Sequence, residues 1–313
     1  MGSARRVVAT VIAAGGARAL LGGVSRLSTT VLTRTNHRGE SVTLAEGPAA
    51  ALAATLAAAA LCPGAGANSG RVAAAAAVAG LGAAAVGGYD DIVGARPDQR
   101  KDKGFAGHLR ALREGRVSAG AVKVLGVGGS GLVAGVLLLD PGPRRPIAGA
   151  ALDIALSGAV VAGAANVVNL LDLRPGRALK ATLAAAVPLL GRSDAAGTVA
   201  AAVTGAALAS LPEDLGERTM LGDAGANALG ALLGVAAVAR LGRPGRTLVA
   251  AGLIGLMAAS ERVSFTAVIA RTPALNAIDL WGRRPPASAP PPAAGATAVN
   301  PTVGEPGSGA VAR

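Results

Sequence analysis

Four short stretches hold most of the side chains that could do chemistry. The first is Gly87-Gly88-Tyr89-Asp90-Asp91, where two adjacent carboxylates close an apolar run. Neighbours on a helix point about 100° apart, so one carboxylate could hold a cation while the other acts as a base. The plainer alternative is a polar helix end facing water. The second stretch runs from Lys101 through Lys103 and Gly104 to His108. Lysine is a compact cation suited to phosphate, and glycines let the backbone approach a ligand. In the third, Asn166, Asn169 and Asp172 recur every three residues and line one strip of a helix. Two amides and a carboxylate are costly against lipid, so this strip faces a bundle interior or a polar cavity. Hydrogen bonding between helices is the structural alternative. The fourth opens a helix at Leu221-Gly222-Asp223-Ala224-Gly225-Ala226-Asn227. The N–H groups and positive dipole end of such a helix favour an anion. Asp223 could equally be an N-cap. Glu213, Asp214 and Glu217 just before it read as a solvated acidic run.

Hard carboxylates, lysines and a helix N-terminus, without sulfur or clustered imidazole, suit a magnesium-assisted phosphate site. Cys62 is the single cysteine, so no intramolecular disulfide forms. His37 and His108 are the only histidines, which argues against a zinc cluster. Gly126-Val-Gly128-Gly129-Ser-Gly131 resembles a dinucleotide loop by letter, but it lies in an apolar run with no strand before it. Helix packing is the better account.

The elements that position these groups are membrane spans. Of 313 residues, 51% are hydrophobic and 15% charged, where a soluble chain carries roughly 25% charged. Apolar blocks near 7–24, 47–62, 71–88, 121–139, 148–170, 178–191, 195–211, 222–240 and 246–262 predict an all-α polytopic bundle of about nine transmembrane helices, within a range of eight to ten. The sixth is the shortest. Ala, Gly and Val dominate the blocks, as suits close helix contact in lipid. Aromatics are 1%, leaving Tyr89 and Trp281 as candidates for the interfacial belt. Residues 1–283 form the membrane domain, and the Pro-, Ala- and Gly-rich stretch 284–313 reads as a disordered tail. A signal peptide at residues 7–24 is the less favoured alternative, because Arg18 interrupts it.

Nine crossings put the loops 25–46, 89–120, 171–180, 212–221 and the C-terminal segment on one side. With span-edge residues assigned to the nearest loop, that side holds 20 of the 30 Lys and Arg, the other side nine, and Arg18 lies within a span. The positive-inside rule makes the first side, which carries every motif above, cytoplasmic. The net charge of +12 therefore reads as a topology signal and as contacts to acidic lipid or phosphate, with no nucleic-acid partner.

In this order the motifs resemble the polyprenyl-phosphate N-acetylhexosamine-1-phosphate transferases, the family that includes the phospho-N-acetylmuramoyl-pentapeptide transferases. Thr35-Asn36-His37-Arg38-Gly39-Glu40-Ser41-Val42 is similar to the first cytoplasmic loop. Tyr89-Asp90-Asp91 with Lys103-Gly104-Phe105 and Gly107-His108-Leu109 is similar to the aspartate-pair region. Asn166 to Asp172 resembles the Asn-x-x-Asn-x-x-Asp motif, and Leu221 to Gly230 the Leu-Gly-Asp-x-Gly-x-x-x-Leu-Gly helix start. The resemblance covers roughly residues 5–262. It implies transfer of a sugar-1-phosphate from a UDP-sugar to a polyprenyl phosphate, with release of UMP, in cell-wall or peptidoglycan-type glycan synthesis at the plasma membrane. It implies Asp90, Asp91 and Asp223 as catalytic groups, and Asp223 with Asp91 as ligands of Mg2+. Lys103 and His108 would bind substrate, as would Asn166, Asn169, Asp172 and Asn227. Expected partners are the lipid carrier, the nucleotide sugar and the bilayer, with a homodimer compatible with the family. Three features depart from the pattern. Leu173 follows Asp172, Gly94 stands at the usual third acidic position, and no histidine follows His108, so the late His-x-His-His loop has no counterpart. A catalytically inactive, lipid-phosphate- or partner-binding member is the alternative.

Overall fold

A computed structural model of the chain describes residues 2–26, 30–62, 68–96, 107, 110, 111, 113–139, 146–191 and 194–285. Lys103 and His108 lie outside these residues, as does nearly all of 284–313. The chain separates into a compact unit, Met1–Arg283, and the segment Arg284–Arg313.

The compact unit is a helical bundle. Its helices are α1 (Gly2–Arg26), α2 (Glu46–Leu61), α3 (Ser69–Tyr89), α4 (Ala119–Leu137), α5 (Ile147–Leu171), α6 (Arg177–Leu190), α7 (Ala195–Leu215), α8 (Gly222–Arg240), α9 (Arg243–Ser260), α10 (Phe265–Arg271) and α11 (Pro273–Leu280). The only sheet among the described residues is a hairpin of β1 (Thr33–Thr35) and β2 (Ser41–Thr43), paired Thr33 with Thr43 and Thr35 with Ser41. Asn36 closes its turn by accepting, through Oδ1, the N–H groups of Arg38 and Glu40 at 2.9 Å each.

Each of the nine apolar blocks falls on one of α1 to α9. Six of these, α1, α3, α4, α5, α7 and α8, are long and apolar enough to cross a bilayer. The α2 and α6 helices have 16 and 14 residues. At 1.5 Å per residue they span about 24 and 21 Å, short of the roughly 30 Å hydrocarbon layer. The α9 helix joins α10 through a bend of 95°. The protein is thus a membrane-embedded multi-pass helical bundle.

Small residues set the packing. The α8 helix is the central post, in contact with α2, α3, α5, α6 and α7. A Cβ placed on Gly230 would lie 2.7 Å from the Ala165 Cα, and one on Gly234 2.6 Å from the Val161 Cα, so α5 crosses α8 backbone against backbone. Gly225 meets Gly47 of α2 in the same way, and Gly87 of α3 meets Ala224. Close approach of this kind is what joins helices where lipid removes the hydrophobic drive for association. Gly131, in the glycine run of α4, likewise abuts α5 at Gly158. Alanines and valines fill the interior, while larger aliphatics such as Leu125, Val187 and Leu248 face outward, the arrangement a lipid solvent favours.

Contacts at the helix ends show that α1 to α9 alternate in direction. At one end of the bundle Arg6 of α1 donates to the Leu190 carbonyl at the end of α6, and the Cys62 thiol after α2 donates to Ala195 at the start of α7. There Arg71 of α3 donates to Leu137 at the end of α4, and Arg240, ending α8, donates to Pro188 of α6. Arg243, opening α9, clasps Asp153 near the start of α5 at 2.7 and 2.9 Å. This pairing accounts for Asp153, which no motif explains. The opposite end gathers the close of α3, α5 and α7, the start of α4, α6 and α8, and the hairpin.

Candidate functional site

At that second end, the last turn of α3 widens into a π-helical turn, Asp90–Gly94. Such turns redirect side chains and recur at functional sites. Here the two aspartates diverge. Asp91 accepts the Asp223 N–H at 3.0 Å and the Ala224 N–H at 2.9 Å, one on each carboxylate oxygen. The α8 N-terminus does attract an anion, and the anion it holds is Asp91. Asp223 is not the N-cap; it stands in the first turn with its carboxylate free of the helix backbone. Gly222 precedes it with φ of +62°, a left-handed conformation natural to glycine. A Cβ there would sit 3.1 Å from Asp91 Oδ1. Arg34 of β1 reaches across to the Asp91 carbonyl and fixes this turn to the hairpin.

Asp90 and Asp223 share a cation. Lys123, one turn into α4, ion-pairs with Asp223 and lies 3.5 Å from Asp90. Asn169, near the end of α5, completes the group. With its amide turned to satisfy both ends, it donates to Asp223 Oδ1 at 2.8 Å and accepts from Lys123 at 2.7 Å. Four helices therefore deliver Asp90, Lys123, Asn169 and Asp223 to one point.

The other expected residues stand around it. Asn166, one turn deeper on α5, is half-buried and joins none of these bonds. Asn227 is buried in α8, where it donates to the Asp223 carbonyl at 2.7 Å. Its Oδ1 is buried without a partner. Asp172 follows α5. Burial, with like charge from Asp214 and Asp223, pushes its carboxyl well above the ordinary range, and a hydrogen bond from the Gly222 backbone opposes this.

Beyond Asp172 opens a small pocket of mixed lining, with Asn36, His37, Arg174, Pro175, Asp214, Glu217 and Met220 among its walls. Asp214 and Glu217 do not form a solvated run, as expected from their sequence, but are buried walls of this pocket. Asp214 accepts the Gly176 N–H at 2.8 Å. Glu217 accepts from Asn36 at 2.9 Å and Arg38 at 2.8 Å, with His37 at 3.8 Å. Only Glu213 remains at the surface, paired with Arg218. Burial lowers the His37 pKa; Glu217 opposes this and Arg174 and Arg38 add to it.

Sequence reasoning missed Lys123, Arg34 and the buried Glu46, whose Oε2 accepts from Thr219 while Oε1 has no partner. The available signal for Lys123 was a lone lysine inside an apolar block, which is costly unless paired.

The donor set suits magnesium. That ion is held by one or two carboxylates, with phosphate oxygens and water completing its shell. Asp90 and Asp223, both turned toward Lys123, are such a pair. Asp91, expected beside Asp223 as a ligand, has both oxygens bonded to backbone N–H groups instead. Comparison with protein-family models and with curated proteins found no match to this chain.

Proposed function

We propose that this protein transfers a sugar-1-phosphate from a UDP-sugar to a polyprenyl phosphate at the cytoplasmic face of the plasma membrane. In this reading all nine helices α1 to α9 cross the bilayer, the short α2 and α6 where the bilayer is locally thinned. The observation that carries it is the convergence of Asp90, Lys123, Asn169 and Asp223 from four helices beside the pocket. Nothing in helix packing requires two carboxylates to be brought together there.

In the reaction an oxygen of the lipid phosphate attacks the sugar-bearing phosphorus of the donor. The bond from that phosphorus to the bridging oxygen breaks, and UMP leaves with the oxygen. Catalysis of this class is mainly positioning and charge stabilisation. Lys123 supplies a fixed cation that phosphate oxygens can take over from Asp90. Asp90, so released, accepts the proton of a protonated lipid phosphate. Asn169 holds both Lys123 and Asp223 in register. Asp172 and the pocket beyond it receive the nucleotide end of the donor. Magnesium, held by Asp223 with the substrate phosphates, would neutralise the diphosphate, leaving Asp90 as the base. Lipid-linked product detected by mass spectrometry after incubation with a panel of UDP-sugars supports this reading and names the donor. No product with any donor, from folded protein in lipid, would overturn it.

One observation favours the alternative of a non-catalytic scaffold. Asp91, Asp90 and Asp223 are all satisfied by partners within the chain. A scaffold predicts that Asp223→Asn leaves binding of polyprenyl phosphate intact and that no turnover exists to lose.

A further inference from the structure

The last two helices of the compact unit carry an unexplained surface. At and after the 95° bend, α10, α11 and the residues beside them expose Val263, Val268, Leu275, Ile278, Leu280 and Trp281. Trp281 is 72% and Ile278 59% exposed. Trp281 is the one tryptophan of a chain with 1% aromatic residues. The two short helices are nevertheless firmly attached. Arg177, buried at the start of α6, binds both oxygens of Asp279 at 2.8 and 3.0 Å and donates to Thr266 at 2.9 Å. Lys180 donates to the carbonyls of Ile278, Asp279 and Trp281, closing the end of α11. Arg283 adds a bond to Asp279 at 2.6 Å and another to the Pro175 carbonyl at 2.9 Å.

We propose that α10 and α11 form an interfacial anchor, held in the phospholipid headgroup layer on the same side as the candidate site. Three observations select lipid as the occupant. The bend turns the chain out of the direction of α9, a helix that itself exposes the large aliphatics Leu248 and Ile254. Tryptophan and aliphatics belong at the boundary of headgroup and acyl chain. The exposed Arg262 and Arg271 flank α10, against the single exposed Glu261, and complement an anionic surface. Through Arg283 and Pro175 the anchor also fixes the rim of the pocket. This inference stands whether or not the protein is a transferase.

Trp281 makes the test direct. The full chain is placed in unilamellar vesicles of phosphatidylcholine, with or without phosphatidylglycerol, some carrying acyl-brominated lipid, so that Trp281 is the only tryptophan present. The anchor predicts quenching of Trp281 by bromine, protection from aqueous iodide, and deeper quenching with phosphatidylglycerol. Arg262→Ala and Arg271→Ala each reduce that anionic enhancement, and the double substitution removes it. Leu275→Glu with Ile278→Glu abolishes bromine quenching, while the melting temperature reported by the buried Cys62 stays the same. Iodide quenching without bromine quenching in the unaltered protein would overturn the proposal. Protection that appears only as protein concentration rises would overturn it in favour of self-association. Bromine quenching retained by the double glutamate variant would overturn it as well.

Discussion

Replacing Lys123 by methionine removes the cation that stands between Asp90 and Asp223 while keeping the apolar length of the side chain. The nitrogen lies 3.5 Å from Asp90, with side-chain exposures of 13% for Lys123, 21% for Asp90 and 26% for Asp223. At an effective dielectric near 20, one such attraction is about 5 kcal/mol gross. Desolvation and partial exposure offset most of it, leaving about 1–3 kcal/mol net. Lys123→Met should therefore lower the melting temperature in detergent. Cys62 is buried and unreactive until the bundle opens, so a thiol-reactive dye reads the transition. Adding Asp90→Asn removes the like-charge repulsion and should restore about 1 kcal/mol or more of the loss, a positive coupling between the two sites. Equal melting of wild type and Lys123→Met, with no rescue by Asp90→Asn, would refute the shared-cation geometry.

Four further outcomes follow from the same contacts. Asp91→Ala should destabilise by about 1–2 kcal/mol, because two N–H groups at the start of α8 lose their acceptor, and Asp91→Asn should recover part of it; chemical denaturation compares the three proteins. Gly234→Val should cost about 1–3 kcal/mol or more through overpacking against Val161 of α5, read as a lower melting temperature. Asp172, held above its ordinary pKa, favours the fold in its protonated form, so its contribution is present below about pH 4 and is lost as pH rises through its folded-state value. Asp172→Asn should thus melt above wild type at pH 7 and converge with it in acid. Arg177→Met leaves Asp279 paired with Arg283 and near Lys180, and should loosen α10 and α11 by about 1.5–3 kcal/mol through the lost charged hydrogen bonds; protease cleavage near Arg271, faster than in wild type, measures this.

The helices were legible because apolar blocks bounded by charged loops are a strong signal in a membrane protein. Their exact crossing status was not, since α2 and α6 are short and draw their stability from the neighbours that enclose them. Asp90, Asn169 and Asp223 were legible as parts of motifs, and the structure brings them together. Their division of labour was hidden. Which of two adjacent aspartates caps α8 depends on a π turn at Asp90–Gly94, and no local pattern in Asp-Asp-Ile-Val-Gly announces it. Lys123 carries no motif, and its meaning comes only from α4 standing beside α8. The acidic stretch Glu213 to Glu217 reads as solvated because charge runs usually are. Here Glu217 adopts φ of +56° and turns inward to Asn36 and Arg38, partners some 180 residues away in sequence. Long-range pairing of that kind has no sequence signature in a single chain.

The most direct test of the central claim is the rate of UMP release by the full chain in lipid nanodiscs, with magnesium, polyprenyl phosphate and the accepted UDP-sugar. The account predicts release that requires both lipid and magnesium, and that falls at least about 100-fold in Asp223→Asn and in Lys123→Met, each confirmed as folded. Release that persists undiminished in both variants would contradict it.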